Sequence, residues 1–268
     1  MSRAASLPPP RKRFGQHFLI DPNIVRKIVG LAAIQPGETV LEIGPGRGAL
    51  TPALCAAARS VIAVELDPAL HAHLTGSLEG CTNLALHLGD ALTFPYADLP
   101  PGTVVVANLP YNVGTTLLMR LLEARHRLAR MIVMLQTEVA QRLAAAPGTD
   151  PYGALSVLTQ AVADVRIAFH VAPTCFRPRP KVGSSIVTLT FPPRRPVAIA
   201  HHALFARTVK AAFAHRRKTL ANSLRDEGVA PARVSDALDR LGLDGSRRAE
   251  TLSIQEFARL AGELGEVL

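Results

Sequence analysis

From residue 39 onward, short apolar runs alternate with segments whose apolar residues recur every three to four positions. TVLEI (39–43), VIAVE (61–65), LALHL (84–88), VVVA (104–107) and MIVML (131–135) read as strands. Several are apolar at consecutive positions, as expected where helices cover both faces of a sheet. Between them, residues 49–57, 68–78 and 115–123 have helical spacing. The series predicts an α/β fold with a Rossmann-like, doubly wound, mainly parallel sheet. Ahead of it Asp21-Pro22 opens a helix, Asp as cap and Pro at the first turn, with Ile24, Val25, Ile28 and Val29 as its apolar stripe.

The pattern changes after Tyr152. A helix over 154–163 leads to VRIAFHV (165–171) and SSIVTLT (184–190), joined by the proline-rich TCFRPRPKVG. These two strands are expected to be antiparallel neighbours at the sheet edge. PPRRP (192–196) reads as a linker, and helical spacing follows over 203–213, 218–224, 231–241 and 254–264. The expected organisation is a basic, flexible arm (1–13), a sheet domain (14–191) and a small all-α C-terminal domain (197–268).

With 268 residues, 48% hydrophobic and 19% charged, the chain can build one sizeable α/β domain and an appendage. The formal net charge is +9, and only five of the 30 basic residues are Lys. Arg suits phosphate because its guanidinium fork binds in bidentate fashion. An Ala- and Arg-rich composition also follows from a GC-rich genome, so charge alone is consistent with a nucleic-acid partner without establishing one. Three cysteines without paired spacing argue against a disulfide framework and a zinc site. The N-terminal stretch has no apolar segment after its charges, and no apolar run approaches the roughly 20 residues that span a bilayer. The expectation is a soluble, cytoplasmic, metal-free monomer with no membrane partner.

LEIGPGRGAL (41–50) places Gly44, Gly46 and Gly48 between a strand and a helix. Glycines let the backbone turn sharply and approach a ligand, and a helix start favours negative charge. The spacing is G-x-G-x-G rather than the dinucleotide pattern G-x-G-x-x-G. The next strand ends at Glu65, 21 residues beyond Gly44, where a carboxylate can accept from ribose hydroxyls. The third leads to Asp90, on the same rim. Singly, either acid reads as a helix cap or a solvated loop residue; together they describe a crevice for an adenosine-like ligand.

The fourth strand delivers Asn108-Leu109-Pro110-Tyr111 to that rim. An exocyclic adenine amine is a poor nucleophile, because its lone pair is delocalised into the ring. Two acceptors aimed at its hydrogens, the Asn108 side-chain oxygen and the Leu109 carbonyl, would hold it and draw electron density back onto nitrogen. Pro110 fixes the turn, and Tyr111 offers a face for a base that has left its own stack. No general base is required if the proton leaves to water; positioning and electrostatics supply the catalysis.

KRFGQHFLID (12–21), EIGPGRGALT (42–51), Glu65-Leu66-Asp67, Gly89-Asp90-Ala91, NLPYN (108–112), CFRPRPKV (175–182), AFAHRRKTLANSL (212–224) and RAETLSIQEFARLA (248–261) together resemble the small-subunit (16S) rRNA adenine-N6 dimethyltransferases, whose loss gives kasugamycin resistance. The glycine loop is shared by most adenosylmethionine enzymes; HRRKTLANSL and the last helices point to the small-subunit branch. The resemblance implies a seven-stranded methyltransferase sheet, S-adenosylmethionine as donor, and two adjacent adenines near the 3′ end of 16S rRNA in an immature small subunit as substrate. It places cofactor contacts on His17, Leu19, Gly44, Gly46, Glu65, Asp90 and Asn108, and catalysis on Asn108, Leu109, Pro110, Tyr111 and Phe176. Phe176 would be the second aromatic near the target base, opposite Tyr111. Two departures stand out: His17 where many members have Asn, and Gly183 where Asp is common.

The expected RNA contacts are Arg11, Lys12, Arg13, Arg177, Arg179, Lys181, Arg216, Arg217 and Lys218, the last three at the start of an amphipathic helix. Arg194-Arg195 also fits, whereas Arg247-Arg248 reads as a solvated face. Two other functions compete: a large-subunit rRNA dimethyltransferase of the macrolide-resistance type, and a non-catalytic assembly or transcription factor on the same fold. Intact Gly44, Glu65, Asp90 and Asn108 argue against the latter. A nicotinamide dehydrogenase is disfavoured by the glycine spacing.

Overall fold

The computed structural model describes residues 8–11, 15–192, 197 and 199–265, arranged as two compact units. Lys12, Arg13, Arg194 and Arg195 lie outside the described residues, as does most of the expected arm and linker.

The first unit comprises Met1–Ala140 and Arg166–Phe191. Its strands are β1 (Phe18–Leu19), β2 (Thr39–Ile43), β3 (Ser60–Glu65), β4 (Leu84–Leu88), β5 (Thr103–Asn108), β6 (Leu128–Gln136), β7 (Asp164–Val171), β8 (Phe176–Arg177) and β9 (Ser184–Thr190). Seven of them form one sheet in the order β4-β3-β2-β5-β6-β9-β7. The pairs from β4 to β6 are parallel, and β9 is antiparallel to β6. As the pattern predicts, β7 and β9 are neighbours and β7 is the edge. Thr188 Oγ1 donates to the Arg166 carbonyl (3.5 Å) and His170 meets Ser185 (2.8 Å), so residue numbers rise along one strand as they fall along the other. A separate ribbon pairs β1 with β8, antiparallel, which apolar periodicity did not reveal because each strand is two residues long.

Helices α1 (Pro22–Ala32), α2 (Thr51–Ala57), α3 (Pro68–Ser77), α4 (Gly114–Glu123) and α5 (Thr137–Leu143) follow the strands. Asp21 and Asp67 cap α1 and α3 through hydrogen bonds from the Asn23 (2.8 Å) and Ala69 (3.0 Å) N–H groups. The core beneath the site is built from Val40, Val61, Val104, Val106, Ile132 and Ile186 with Leu50, Leu54 and Ile28 from the helices.

The register decides what the sheet does. Ile43 is level with Val64 on one side and with Ala107 on the other. The next residues along, Gly44, Glu65 and Asn108, therefore stand side by side at the carboxyl ends of three parallel strands. Chain order reverses between β2 and β5, and a crevice forms where neighbouring connections leave in opposite directions.

The second unit comprises Gln141–Val165 and Pro192–Leu268. It contains α6 (Ala154–Gln160), α7 (His202–Phe213), α8 (Leu220–Asp226), α9 (Pro231–Leu241) and α10 (Ile254–Leu264). The sequence boundary placed 141–165 with the sheet; the structure places them here. Tyr152 and Val157 belong to the same apolar cluster as Phe205, Val209, Leu224 and Phe257. The Tyr152 hydroxyl donates to the Leu252 carbonyl (3.0 Å), and Gly148 N–H to the Glu250 carbonyl (2.8 Å). Thr219 caps α8 by accepting from Asn222 N–H, so that helix starts at Leu220 rather than at Lys218. Among the described residues, no helix is long and apolar enough to cross a membrane.

Candidate active site

A cleft with a cavity volume of about 160 Å³, open to solvent, lies over the carboxyl ends of β2–β5. It is lined by residues 15–18, Gly44, Gly46, Glu65-Leu66, 89–92 and 108–113. The backbone at Gly46 has φ 62°, and an added Cβ would sit 3.1 Å from Phe18 Cδ1. Any side chain here would be strained and would displace the ring, so the bare loop is required by fit as well as by conformation.

Glu65, only 5% exposed, organises that loop. Its Oε2 accepts from Gly46 N–H (3.0 Å) and its Oε1 from Asp67 N–H (2.9 Å). Each carboxylate oxygen has a second lone pair, so the group can accept further donors such as ribose hydroxyls. Burial raises its pKa, and the two backbone N–H groups counter that by favouring the ionised form. Asp90 is exposed, and its Oδ1 accepts from Leu92 N–H (2.8 Å), which shapes the turn. The buried Tyr96 hydroxyl donates to the Ala91 carbonyl (2.7 Å) and supports the same turn from below.

Asn108 Nδ2 donates to the His17 carbonyl (3.3 Å). The amide is thereby oriented with its Oδ1 still available as an acceptor. The His17 ring donates from Nδ1 to the Pro178 carbonyl (2.8 Å), which assigns the hydrogen to Nδ1 because a carbonyl can only accept. That ring lies 5.4 Å from the Tyr111 ring, tilted 31°. Leu109 is buried, while Pro110 and Tyr111 are partly exposed at the cleft.

Two expected site residues stand elsewhere. Phe176 is 3% exposed and packs in the core with Val171, Ile186 and Leu19, because β8 pairs it with Leu19 of β1. It does not line the cleft opposite Tyr111. Leu19 is likewise buried and borders a small cavity behind the glycine loop. The sequence reading also missed two polar groups. Buried Asp67 accepts from Gln16 Nε2 (3.2 Å), and buried Ser184 meets the Tyr111 hydroxyl (2.5 Å). An Asp before Pro68 carries the same capping signal as Asp21-Pro22 and could have drawn attention to Asp67; nothing in the sequence marked Ser184. Gly183 now has a physical setting: a Cβ there would lie 3.3 Å from Thr137 Oγ1, so a side chain would have to push that hydroxyl aside.

The basic residues divide into committed and free. Arg11 forms an ion pair with buried Asp67 (3.1 Å), which directly follows Glu65-Leu66 of the cleft. Arg216 pairs with Asp150 (2.7 Å) and Lys218 with Asp226. Arg217, Arg177, Arg179 and Lys181 are exposed and form no ion pair with a described residue. Residues 216–218 occupy the turn before α8 rather than its first turn. Among the described residues, no group of three His, Cys, Asp or Glu side chains could hold a metal ion.

Comparison with known proteins agrees with this geometry. Residues 9–266 match the family model described as "Ribosomal RNA adenine dimethylase". A "Ribosomal RNA small subunit methyltransferase A" of Moorella thermoacetica is 44% identical over 95% of this chain and 92% of its own. The protein of that name from Geobacter sulfurreducens is 45% identical over 93% of each. Among solved structures, a dimethyladenosine transferase from Plasmodium falciparum aligns with TM-score 0.78 at 26% identity, over 91% of this chain and 96% of that one. The 23S rRNA methyltransferase ErmE aligns with TM-score 0.70 at 28% identity, over 92% and 99%. A strand register that gathers glycine loop, carboxylate and Asn-Leu-Pro-Tyr on one rim, and a match along nearly the whole chain, agree: the chain belongs to the ribosomal RNA adenine dimethylase family.

Proposed function

We propose that this enzyme dimethylates the N6 amines of two adjacent adenines near the 3′ end of 16S rRNA, using S-adenosylmethionine, on an immature small subunit. The observation that carries the reading is the level placement of Gly44, Glu65 and Asn108, with Asn108 Oδ1 left as a free acceptor. Curated relatives at 44–45% identity carry the small-subunit name, which favours that substrate over large-subunit RNA. We further propose that the protein acts in the cytoplasm as a monomer.

The cleft fits the donor. Gly46 leaves room that a Cβ would fill, Glu65 presents lone pairs beside it, and residues 89–92 border a space for a base edge. When bound, S-adenosylmethionine supplies an electrophilic methyl group. The target base leaves its stack and lies against Tyr111. Asn108 Oδ1 and the Leu109 carbonyl accept from its amine hydrogens, holding N6 and opposing delocalisation of its lone pair. After transfer the surplus proton passes to water, so no side chain need act as a base. The N-terminal segment helps exclude water: Gln16 and Arg11 are both bonded to Asp67 beside the cleft.

The test is methyl transfer from labelled cofactor to unmethylated small-subunit particles, with modified nucleotides mapped. Label in two adjacent dimethyladenosines near the 3′ end is expected. No turnover on these particles despite cofactor binding, or label in large-subunit RNA alone when both RNAs are offered, would overturn the proposal.

A further inference from the structure

The cleft has an aromatic wall whose orientation is set from outside the Asn-Leu-Pro-Tyr turn. The Tyr111 hydroxyl and Ser184 Oγ are 2.5 Å apart, although 73 residues separate them in sequence. Strand direction explains the meeting. Asn108 ends β5 level with Met134 of β6, and Met134 is level with Ile186 of β9. Because β9 is antiparallel, its first residue, Ser184, reaches the rim where the parallel strands present their last. Ser184 is level with Gln136, two residues beyond Met134 in the direction of Tyr111.

The adjacent serine shows that the arrangement is specific. Ser184 and Ser185 are both fully buried and, as neighbours on a strand, point to opposite faces. Ser185 Oγ is bonded to Thr137 Oγ1 (3.0 Å) and to His170 Nδ1 (2.8 Å). Ser184 spends its hydroxyl on Tyr111. Burial pushes the Tyr111 phenol pKa up, so the group stays protonated and able to donate at neutral pH. The ring also meets the tilted His17 imidazole. Phe176, expected from the resemblance as the second aromatic beside the target base, is in the core.

We infer that Ser184 is a positioning residue: its hydroxyl fixes the plane of the Tyr111 ring, and so the place where a stacked adenine presents N6 to Asn108. The inference rests on reading the cleft as the methylation site. It also changes what a conservative variant should do. A ring needed only for its face would tolerate Tyr111→Phe; a ring held by its hydroxyl would not, since Phe strands a buried Ser184 hydroxyl and frees the ring to tilt.

The experiment is a double-mutant cycle on the full-length protein. Single-turnover methylation of unmethylated small-subunit particles is measured for Ser184→Ala, Ser184→Thr, Tyr111→Phe, the Ser184→Ala/Tyr111→Phe pair and Tyr111→Ala. Particle and cofactor affinities are measured alongside. Losing one neutral hydrogen bond should slow the step about 3- to 10-fold in each of Ser184→Ala and Tyr111→Phe. The pair should be no slower than its slower member, because both remove the same contact. Cofactor and particle affinities should stay within about 2-fold, and Ser184→Thr, which keeps the hydroxyl, should recover most of the rate. Tyr111→Phe is at a half-exposed site, so it tests the idea even if Ser184→Ala folds poorly. Normal rates in Tyr111→Phe, or effects that multiply in the pair, would overturn the inference while leaving the methylation site intact. Normal turnover in Tyr111→Ala would instead remove the reading on which it rests.

Discussion

Replacing Asn108 with Ala removes two things at once. One is the Oδ1 acceptor at the rim; the other is the Nδ2 donor to the His17 carbonyl at 3.3 Å. The second is a long, neutral hydrogen bond at a partly exposed site, so its loss should cost stability by only about 1 kcal/mol. That corresponds to a melting shift of roughly 2–4 °C for a protein of this size. The first is a preorganised acceptor aimed at the reacting amine, and deletion of such a group typically costs on the order of 100- to 1000-fold in rate. The two effects therefore separate cleanly: a nearly normal melting curve with a collapsed single-turnover rate. Particle affinity should survive, because phosphate contacts elsewhere supply most of it. Cofactor affinity should fall modestly, since the glycine loop and Glu65 remain in place. Asn108→Asp sharpens the test, because it keeps oxygens at the rim but sets a carboxylate against the His17 carbonyl; it should be as slow as the Ala variant. The assay is one round of methylation with enzyme in excess over unmethylated particles, quenched over time. A rate within a few-fold of the unmutated enzyme for Asn108→Ala would mean that Asn-Leu-Pro-Tyr is only a turn, and the mechanism would have to be abandoned.

Glu65→Ala should weaken S-adenosylmethionine by roughly 1.5–3 kcal/mol, the range for a hydrogen bond to a charged group. It should also loosen the glycine loop by freeing Gly46 N–H; calorimetric binding equal to that of the unmutated protein would show that Glu65 does not line the site. Among the exposed cations, Arg217→Ala should lower the salt slope of particle binding by about 0.7–0.9, one phosphate contact. Arg216→Ala and Lys218→Ala should do less, since both cations are partnered by carboxylates; three equal slopes would sink that distinction. Buried Glu42 has its carboxyl pushed up to about 8 from 4.5, chiefly by burial. Its contribution to stability is therefore full below the unfolded value near 4.5 and is lost as pH rises through about 8. Glu42→Gln, which cannot ionise, should flatten the fall in melting temperature between pH 5 and 9; parallel curves for the two proteins would refute the assignment.

The order of elements and the identity of the rim residues were legible in the chain itself. Three consecutive Val at 104–106 suit a strand covered on both faces, and Asp21-Pro22 announced a helix start through local chemistry. Gly44, Glu65, Asp90 and Asn108 could be assigned to one rim because each follows a strand in a parallel series, and such strands present their ends together. Local rules failed wherever partners come from afar. Phe176 looked like a cleft residue by resemblance, but a two-residue pairing with β1 turned it into the core. Residues 141–165 were placed with the sheet domain because they precede its last two strands, yet Tyr152 and Val157 pack in the same apolar cluster as Phe205, Val209 and Phe257. Arg11, Arg216 and Lys218 could be counted as cations from sequence; only the fold shows that each already faces a carboxylate. The Tyr111–Ser184 contact depends on β9 running antiparallel between β6 and β7, a choice of strand order and direction. Periodicity reports which face of an element is buried, and capping residues report where it starts. Neither carries the long-range register that decides which side chains meet.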